Sequence, residues 1–348
     1  MPVYIGVDFH ARRQTISYLT TKDGEIKGLQ LDHGQPAAVR EFYEQFGDEL
    51  VIVGYESSGY AAWFEEMLEE LGHEIWVGDA KAIRSYAKRR QKTDRRDAEL
   101  ILDLMVKGDF PRIHRYSPES RAVLQQLRYR QRLVKMQTMI INSLVFMAAS
   151  RGVFLRRQFK SRRSLERFQQ LALPAELSSQ RTEQCQRLLE LKASIDKVEL
   201  ELRVKAEADP RVLRLRTQYG IGLLTGLCLV HTLERVERFP NSRKVTGYAG
   251  FDPVEDSSGQ RRRIGGISKE GSRLLRFLLV EAGQIAIRRD EELARHYRRL
   301  TVRRGHAKAK VAVARRLLVR AFIMLRDEID YAEFQRRGVA ARSSRNSH

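Results

Sequence analysis

The stretch VYIGVDF, residues 3–9, decides the fold of the first third of the chain. It is a short β-branched run that is typical of a strand. The next run, QTISYLT at 14–20, alternates apolar and polar residues, and the turn residues KDG at 22–24 separate it from EIKGLQL at 25–31. The three runs predict an antiparallel, three-stranded start.

Buried strands and helices then alternate up to about residue 116. Residues 36–46 and 60–71 are helical in pattern. LVIVGYE at 50–56 is a continuous apolar run suited to a buried parallel strand, and HEIWVGD at 73–79 predicts another strand. The order βββαβαβα predicts an α/β domain with a mixed sheet flanked by helices.

From residue 117 the strand signals give way to long helices, and we predict a helical region at 117–208, a mainly helical domain at 209–333 and a mobile polar tail at 334–348. Apolar residues recur at spacings of three and four in one helix of the first region: Leu188, Leu191, Ile195, Val198 and Leu202. This seam fits either core helices of a bundle or a protruding coiled coil for self-association or nucleic-acid binding.

The composition is strongly basic and favours a polyanionic partner. Lys and Arg number 64 against 44 Asp and Glu, a formal net charge of +20. Residues 261–330 alone hold 19 Lys or Arg against 8 Asp or Glu. Nucleic acid is the commonest partner of such a surface, and a membrane surface is the competing one. No apolar run reaches the roughly 20 residues that span a bilayer, and no signal peptide is recognisable at the N-terminus, so we expect a cytosolic protein.

Four carboxylates form a candidate site. Asp8 and Glu56 each follow an apolar strand, and the carboxyl ends of neighbouring parallel strands share one edge of a sheet. Asp94 and Asp97 lie three apart at a helix start in KTDRRDA, on one helix face. Like charges this close oppose ionisation unless a cation joins them, and Mg²⁺ prefers such oxygen ligands. The sequence therefore predicts a carboxylate metal site.

The surroundings of these acids are basic, and Lys92, Arg95 and Arg96 would bind the phosphate backbone beside them. The eight histidines and two cysteines show no metal-ligand spacing, so we expect carboxylates to hold any metal. A structural alternative assigns Asp94 as a helix N-cap and Asp97 as a first-turn acid favoured by the helix dipole.

The motifs IGVD, ESSG and KTDRRDA, followed by YGIG, YAGFDP, SSGQRRR and SKEG in that order, resemble the DEDD-type insertion-sequence transposases. This is the family of bridge-RNA-guided recombinases that includes the pilin-gene invertases. The resemblance implies a RuvC/RNase H-like domain at 1–116, a coiled-coil region at 117–208 and a transposase domain at 209–333. It also implies that Asp8, Glu56, Asp94 and Asp97 bind Mg²⁺ or Mn²⁺, two ions per composite site.

The same resemblance implies a serine nucleophile. A serine directly before a glycine has this role in the family, which assigns Ser258 of SSG. The loop after it is about one residue shorter than the family pattern, so Ser257 stays as the alternative register. Cations around this loop would bind phosphates: Arg261, Arg262, Arg263 and Lys269. Read without its neighbours, SSG is an ordinary surface turn.

The resemblance, together with the predicted carboxylate site, therefore implies a site-specific recombinase of an insertion sequence that cuts and rejoins DNA through a phosphoserine intermediate with divalent-metal assistance. The resemblance implies donor and target DNA, a structured bridge RNA and a homo-oligomer, dimer or tetramer, as partners. Three alternatives stay open: a RuvC-like junction resolvase or nuclease that uses water, a DNA invertase, and a non-catalytic nucleic-acid-binding protein with structural carboxylates.

Overall fold

The protein divides into two compact units, Met1–Arg115 and Tyr116–His348. The computed structural model describes residues 2–20, 24–87, 93–154, 162–255 and 264–346. The first unit is a mixed sheet with helices and the second is mainly helical, which confirms the predicted α/β plus all-α class.

The N-terminal unit contains one five-stranded sheet. Its strands are β1 Val3–Phe9, β2 Arg13–Leu19, β3 Ile26–Asp32, β4 Val51–Glu56 and β5 Glu74–Gly78. They lie in the order β3-β2-β1-β4-β5. The first three are antiparallel, and β4 lies parallel to both β1 and β5. The antiparallel start and the buried parallel strand are confirmed.

Four helices accompany this sheet: α1 Pro36–Glu44, α2 Ala62–Glu70, α3 Ala80–Tyr86 and α4 Asp94–Val106. Two of them follow β5, where the sequence pattern predicted one. Asp79 explains the extra helix, because its side chain accepts hydrogen bonds from the N–H groups of Lys81 and Ala82 and so caps α3.

Helix α4 packs directly on the sheet because two strands have a glycine beneath it. A Cβ atom at Gly6 would lie 2.6 Å from the carbonyl oxygen of Ala98, and one at Gly54 would lie 2.2 Å from Sδ of Met105. Side chains at these positions would push the helix away from β1 and β4. The two glycines therefore determine the distance between α4 and the sheet, and this distance fixes the position of the acids on the first turn of α4.

The C-terminal unit is built from ten described helices and a two-stranded ribbon. The helices are α5 Pro118–Ala149, α6 Arg162–Gln169, α7 Ala175–Ala208, α8 Pro210–Arg216, α9 Leu223–Leu233, α10 Ser242–Tyr248, α11 Arg273–Ala286, α12 Glu291–Arg304, α13 His306–Arg326 and α14 Tyr331–Asn346. The antiparallel ribbon joins β6 Pro253–Glu255 to β7 Ile264–Ile267. The segment predicted as a polar tail forms most of α14. Among the described helices, none has the length and apolar character needed to cross a bilayer.

The apolar seam of α7 packs within the chain. Ile195, Val198 and Leu202 share one core with Val123 and Leu127 of α5. Leu188 belongs to a second apolar cluster, together with Leu144 and Met147 of α5. The partner of this seam is therefore α5, as the core-helix interpretation expects, and self-association through these helices stays a prediction.

The turn before α9 requires a glycine. Gly220 adopts φ 90°, a left-handed conformation that side chains disfavour, and a Cβ atom there would lie 2.2 Å from the carbonyl oxygen of Ala282. Gly222 then occupies the N-cap of α9. This glycine turn lets the chain approach α11 closely.

Candidate active site

Asp8 and Glu56 lie at the same edge of the N-terminal sheet. Val7 of β1 pairs with Tyr55 of the parallel strand β4, and the two acids are the next residues on their strands. Both therefore lie at the carboxyl ends of neighbouring strands, where open α/β sheets build their sites.

The first turn of α4 supplies the other two acids. Thr93 is the N-cap, and its side chain accepts a hydrogen bond from the N–H of Arg96. Asp94 is thus the first helical residue and not the N-cap, so that part of the structural alternative does not apply. Asp97 is in the first turn, where the helix dipole favours a negative charge.

Asp8, His10 and Asp94 form a compact group of potential metal ligands. One ligand atom from each lies within 4.8 Å of the other two. Nε2 of His10 is 3.1 Å from Oδ2 of Asp8 and 3.9 Å from Oδ1 of Asp94. Arg13 of β2 also contacts this group, with Nη2 2.8 Å from Oδ2 of Asp94.

The acids of this group act on one another. Burial raises the pKa of Asp8, His10 lowers it, and the charges of Asp97 and Asp94 raise it again. Asp97 is thus close enough to influence Asp8. A partly buried carboxylate among like charges gains from a bound cation, and two carboxylates beside an imidazole suit a divalent ion. The donor set fits a metal.

Glu56 has a different partner. Its Oε1 lies 2.9 Å from Nη2 of Arg84, which belongs to α3. Within the described residues it is not part of the group that brings Asp8, His10 and Asp94 together. The predicted meeting of four acids therefore appears as two carboxylates and a histidine, with Asp97 nearby and Glu56 held by an arginine.

Two family models match this chain on either side of the α7 region. Residues 5–147 match a DEDD-type model of IS110 proteins whose description is "Transposase". Residues 212–298 match a model described as "Transposase IS116/IS110/IS902 family". The first match includes all four predicted acids and the second includes the SSG motif. The chain therefore carries transposase domains of the IS110/IS116 family in both of these regions. These domains identify it as a DNA-cleaving and DNA-transferring enzyme.

Curated relatives of this transposase carry consistent descriptions. A Pseudomonas aeruginosa protein described as "Probable family 20 transposase" is 27% identical over 72% of this chain and 75% of its own length. The "Transposase for insertion sequence element IS1111A" of Coxiella burnetii is 28% identical over 67% of this chain and 66% of its own. The "Transposase for insertion sequence element IS1328" of Yersinia enterocolitica is 27% identical over 69% and 72%.

Three residues of the transposase site were missed by sequence reasoning: His10, Arg13 and Arg84. A pair of histidines at helical spacing is the usual sequence signal of a metal site, and His10 has no such partner. The available signal was the pair Asp8-x-His10 at the end of a strand. Its other neighbour, Asp94, is distant in sequence, so only the fold shows the contact.

The remaining predicted residues of the transposase fall into two groups. Among the described ones, Arg95 pairs with Glu99 at 3.0 Å, Arg96 is exposed on the first turn of α4, and Lys269 is exposed with φ 60° in the loop before α11. Six lie outside the described residues: Lys92, Ser257, Ser258, Arg261, Arg262 and Arg263. Their roles stay predictions.

Proposed function

We propose that this transposase moves an insertion sequence by cutting and rejoining DNA through a phosphoserine intermediate at Ser258, assisted by divalent metal. The observation that carries the proposal is the group Asp8, His10 and Asp94, whose ligand atoms lie within 4.8 Å. A DNA-binding protein without catalysis has no use for such a group among its cations. The Coxiella and Yersinia relatives are described as transposases of insertion sequence elements, which supports the insertion-sequence substrate.

The metal would be held by Asp8 and Asp94 with His10, and Asp97, whose charge acts on Asp8, would be the candidate for a further ligand. Mg²⁺ or Mn²⁺ fits this set of oxygen and imidazole donors. Bound there, the ion would stabilise the negative charge that develops on phosphate oxygens during transfer. Glu56 would join only by giving up its pair with Arg84.

The serine step conserves the phosphodiester bond energy. Oγ of Ser258 attacks the phosphorus and loses its proton, and the bond from phosphorus to one sugar oxygen breaks. That sugar oxygen takes up a proton, while the other DNA end stays esterified to the serine. Attack by a hydroxyl of the new partner strand reverses these changes and releases the serine.

A basic helical hairpin supplies DNA contacts in this proposal. Between Arg295 and Arg316, helices α12 and α13 carry nine Lys or Arg and no Asp or Glu. Two of them pair within the protein, Arg315 with Asp252 and Arg316 with Glu292. The structure gives the others no ion pair within the described residues. Cations of this kind position a phosphate backbone without reading its sequence.

The family resemblance adds two partners to the proposal. A structured noncoding bridge RNA would pair with donor and target DNA, so that much of the choice of site resides in RNA. A homo-oligomer, dimer or tetramer, would hold the two DNA partners together. Both follow from the resemblance, and adding or omitting the RNA in the reaction tests the first directly.

The decisive experiment incubates the transposase with labelled DNA that carries both element ends, bridge RNA and Mg²⁺, and then denatures the protein. We expect a covalent protein–DNA adduct that Ser258→Ala abolishes. Ser257→Ala is the matched control and should keep the adduct. Cleavage that continues undiminished in Ser258→Ala without any adduct would instead identify a nuclease that uses water, and an adduct lost only in Ser257→Ala would assign the nucleophile to Ser257.

A second pair of variants tests the metal group. Asp94→Asn should abolish cleavage while the protein stays folded. Asp103→Asn removes an exposed acid from the same helix, where it pairs with Lys107, and should leave cleavage unchanged. DNA rearrangement that persists in Asp94→Asn would favour structural carboxylates and a non-catalytic protein.

A further inference from the structure

A groove of about 920 Å³ lies between α5 and α11 in the C-terminal unit. One wall is a face of α5, and the other is the first turn of α11 with Gly271 and Ser272 before it. The proposed chemistry does not use this groove. Its lining combines a single sign of charge with an exposed apolar surface.

The charged part of the lining is entirely positive. Arg128, Arg132 and Lys135 follow one another at spacings of four and three on α5, and Arg273 is the first residue of α11. All four are exposed, and the described lining residues include no carboxylate. Burial lowers the pKa of the neighbouring Arg276, and the positive charge of Arg273 lowers it further. Such a cluster attracts a polyanion.

The apolar part of the lining is open to solvent. Phe277 is 46% exposed and Met139 is 70% exposed, although both lie among the cations. Duplex DNA stacks its bases inside and presents phosphates, so it gains little from an exposed ring. An unpaired base has an open face that can stack on an aromatic side chain while its phosphates meet cations.

A second copy of the chain is a poor occupant. Two copies meeting symmetrically through this groove would bring the same four cations against themselves. Like charges at an interface oppose association. An unpaired nucleic-acid strand satisfies both features of the lining.

We propose that this groove binds an unpaired segment of the DNA, with a base stacked on Phe277 and phosphates held by Arg128, Arg132, Lys135 and Arg273. The inference rests on the proposed function, because cutting and exchanging strands releases unpaired DNA. It adds a site for that strand within the C-terminal unit. Its binding chemistry is separate from the metal group.

Fluorescence anisotropy of the full-length protein tests the proposal with three labelled probes: an unpaired DNA strand, the same strand in a duplex, and RNA of the same sequence. Phe277→Ala should weaken binding of the unpaired DNA by about tenfold or more. It should change duplex binding less than about twofold, because a duplex offers no base to stack.

Two further variants separate the loss of the aromatic ring from other effects. Phe277→Tyr keeps an aromatic ring and should bind unpaired DNA as tightly as the unmodified protein. Ile285→Ala is the matched control, since it removes an exposed apolar side chain of the same helix outside the groove.

The charge contribution is tested by Arg132→Gln combined with Lys135→Gln. In a plot of the logarithm of the single-strand binding constant against the logarithm of salt concentration, the slope should become shallower by about 0.7 for each phosphate that is no longer neutralised. The control, Lys192→Gln with Lys197→Gln on α7, removes the same charge from exposed positions outside the groove. Equal effects of the two pairs would overturn the proposal.

Other outcomes name other occupants and equally overturn it. Tighter binding of RNA with the same dependence on Phe277 would assign the groove to RNA. Loss of oligomer in Phe277→Ala, measured by light scattering, would assign it to a second copy. Equal single-strand binding by Phe277→Ala and Ile285→Ala would leave the groove without a role in binding strands.

Failure of this inference and failure of the proposed function are distinguishable. Asp94→Asn should lose strand cleavage but keep Phe277-dependent binding of unpaired DNA. A protein that never forms the Ser258 adduct, yet binds unpaired DNA through Phe277, would refute the function and keep the groove. A protein that forms the adduct but binds unpaired DNA independently of Phe277 would refute the groove proposal and keep the proposed function.

Discussion

Arg84 donates a hydrogen bond from Nη2 to Oε1 of Glu56 across 2.9 Å. Glu56 is the last residue of β4, the strand that was predicted to place it beside the other metal-binding acids. Both side chains are partly exposed, so the pair itself contributes little to stability. It matters because an arginine and a metal ion compete for the same carboxylate.

Replacing Arg84 should change the metal requirement of the transposase. In Arg84→Met, Glu56 is released to join Asp8, and the Mg²⁺ concentration for half-maximal strand cleavage should fall several-fold. Arg40→Met is the control, because Arg40 pairs with Glu44 and Glu70 in the same unit. An unchanged requirement in Arg84→Met would show that Glu56 stays outside the metal centre.

His10 should give the metal group a preference between ions. Mg²⁺ is a hard ion that is bound through oxygen and gains little from an imidazole, so His10→Asn should weaken binding of the softer Mn²⁺ by at least about tenfold and Mg²⁺ binding less. Titration calorimetry with each ion measures both. The exposed His306, in the other unit, supplies the control variant His306→Asn. Equal losses for the two ions, or none, would remove His10 from the ligand set.

Gly6 should be essential for the packing of α4. Gly6→Ala places a Cβ atom against backbone atoms of α4, and overpacking of this kind costs about 1–3 kcal/mol of unfolding free energy. Gly54→Ala should cost less, because its nearest neighbour is the flexible side chain of Met105. Gly59→Ala, with no atom within 4 Å, should change stability by less than about 0.5 kcal/mol.

Tryptophan fluorescence during urea unfolding reports the stability of the N-terminal unit and so measures the effects of these three glycine substitutions. The only two tryptophans of the chain are Trp63 and Trp76, both in the N-terminal unit. The expected order of unfolding midpoints is Gly59→Ala, then Gly54→Ala, then Gly6→Ala as the lowest. A Gly6→Ala midpoint equal to that of Gly59→Ala would contradict the packing described for α4.

The hairpin of α12 and α13 should bind duplex DNA through phosphates alone. Arg303→Gln combined with Arg304→Gln should weaken duplex binding about equally for unrelated sequences, because neither side chain reads bases. The slope of affinity against salt should fall by about 0.9 for each phosphate left without its cation. Lys107→Gln with Arg40→Gln removes the same net charge elsewhere. Weaker binding confined to one DNA sequence would indicate base recognition instead.

The N-terminal unit should lose stability as the pH falls below neutral. His73 is buried, and Nε2 donates a hydrogen bond to the carbonyl oxygen of Tyr43. Burial lowers the pKa of His73 and outweighs that bond, which raises it. In the unfolded chain His73 binds a proton near pH 6.5, whereas in the folded protein it is still neutral at that pH. The free energy of unfolding therefore decreases as the pH falls through that range.

Urea unfolding at pH 7.5 and 5.5, followed by tryptophan fluorescence, checks the sign. His73→Gln keeps a donor for Tyr43 and should show a smaller decrease than the unmodified protein. Some decrease should persist, because burial also lowers the pKa of His33 in the same unit. Greater stability at pH 5.5 than at 7.5 in the unmodified protein would contradict the prediction.

The elements and the sheet edge were predictable because their signals are local. Alternation in QTISYLT and the apolar run LVIVGYE depend on neighbouring residues only, and parallel strands bring their carboxyl ends to one edge wherever they pair. Asp8 and Glu56 could thus be assigned to one edge in advance. The family motifs are equally local, and the matched models confirm the family that they indicated.

The sequence by itself determined the fold class, the strands that carry Asp8 and Glu56, the helix that carries Asp94 and Asp97, and the family. Only the tertiary structure decided that His10 joins Asp8 and Asp94, that Arg84 holds Glu56, that α5 covers the seam of α7, and that cations gather beside Phe277. Each of these depends on contacts between residues far apart in the chain. Such contacts follow from how closely elements pack, as Gly6 and Gly54 allow for α4, and no local pattern records that distance.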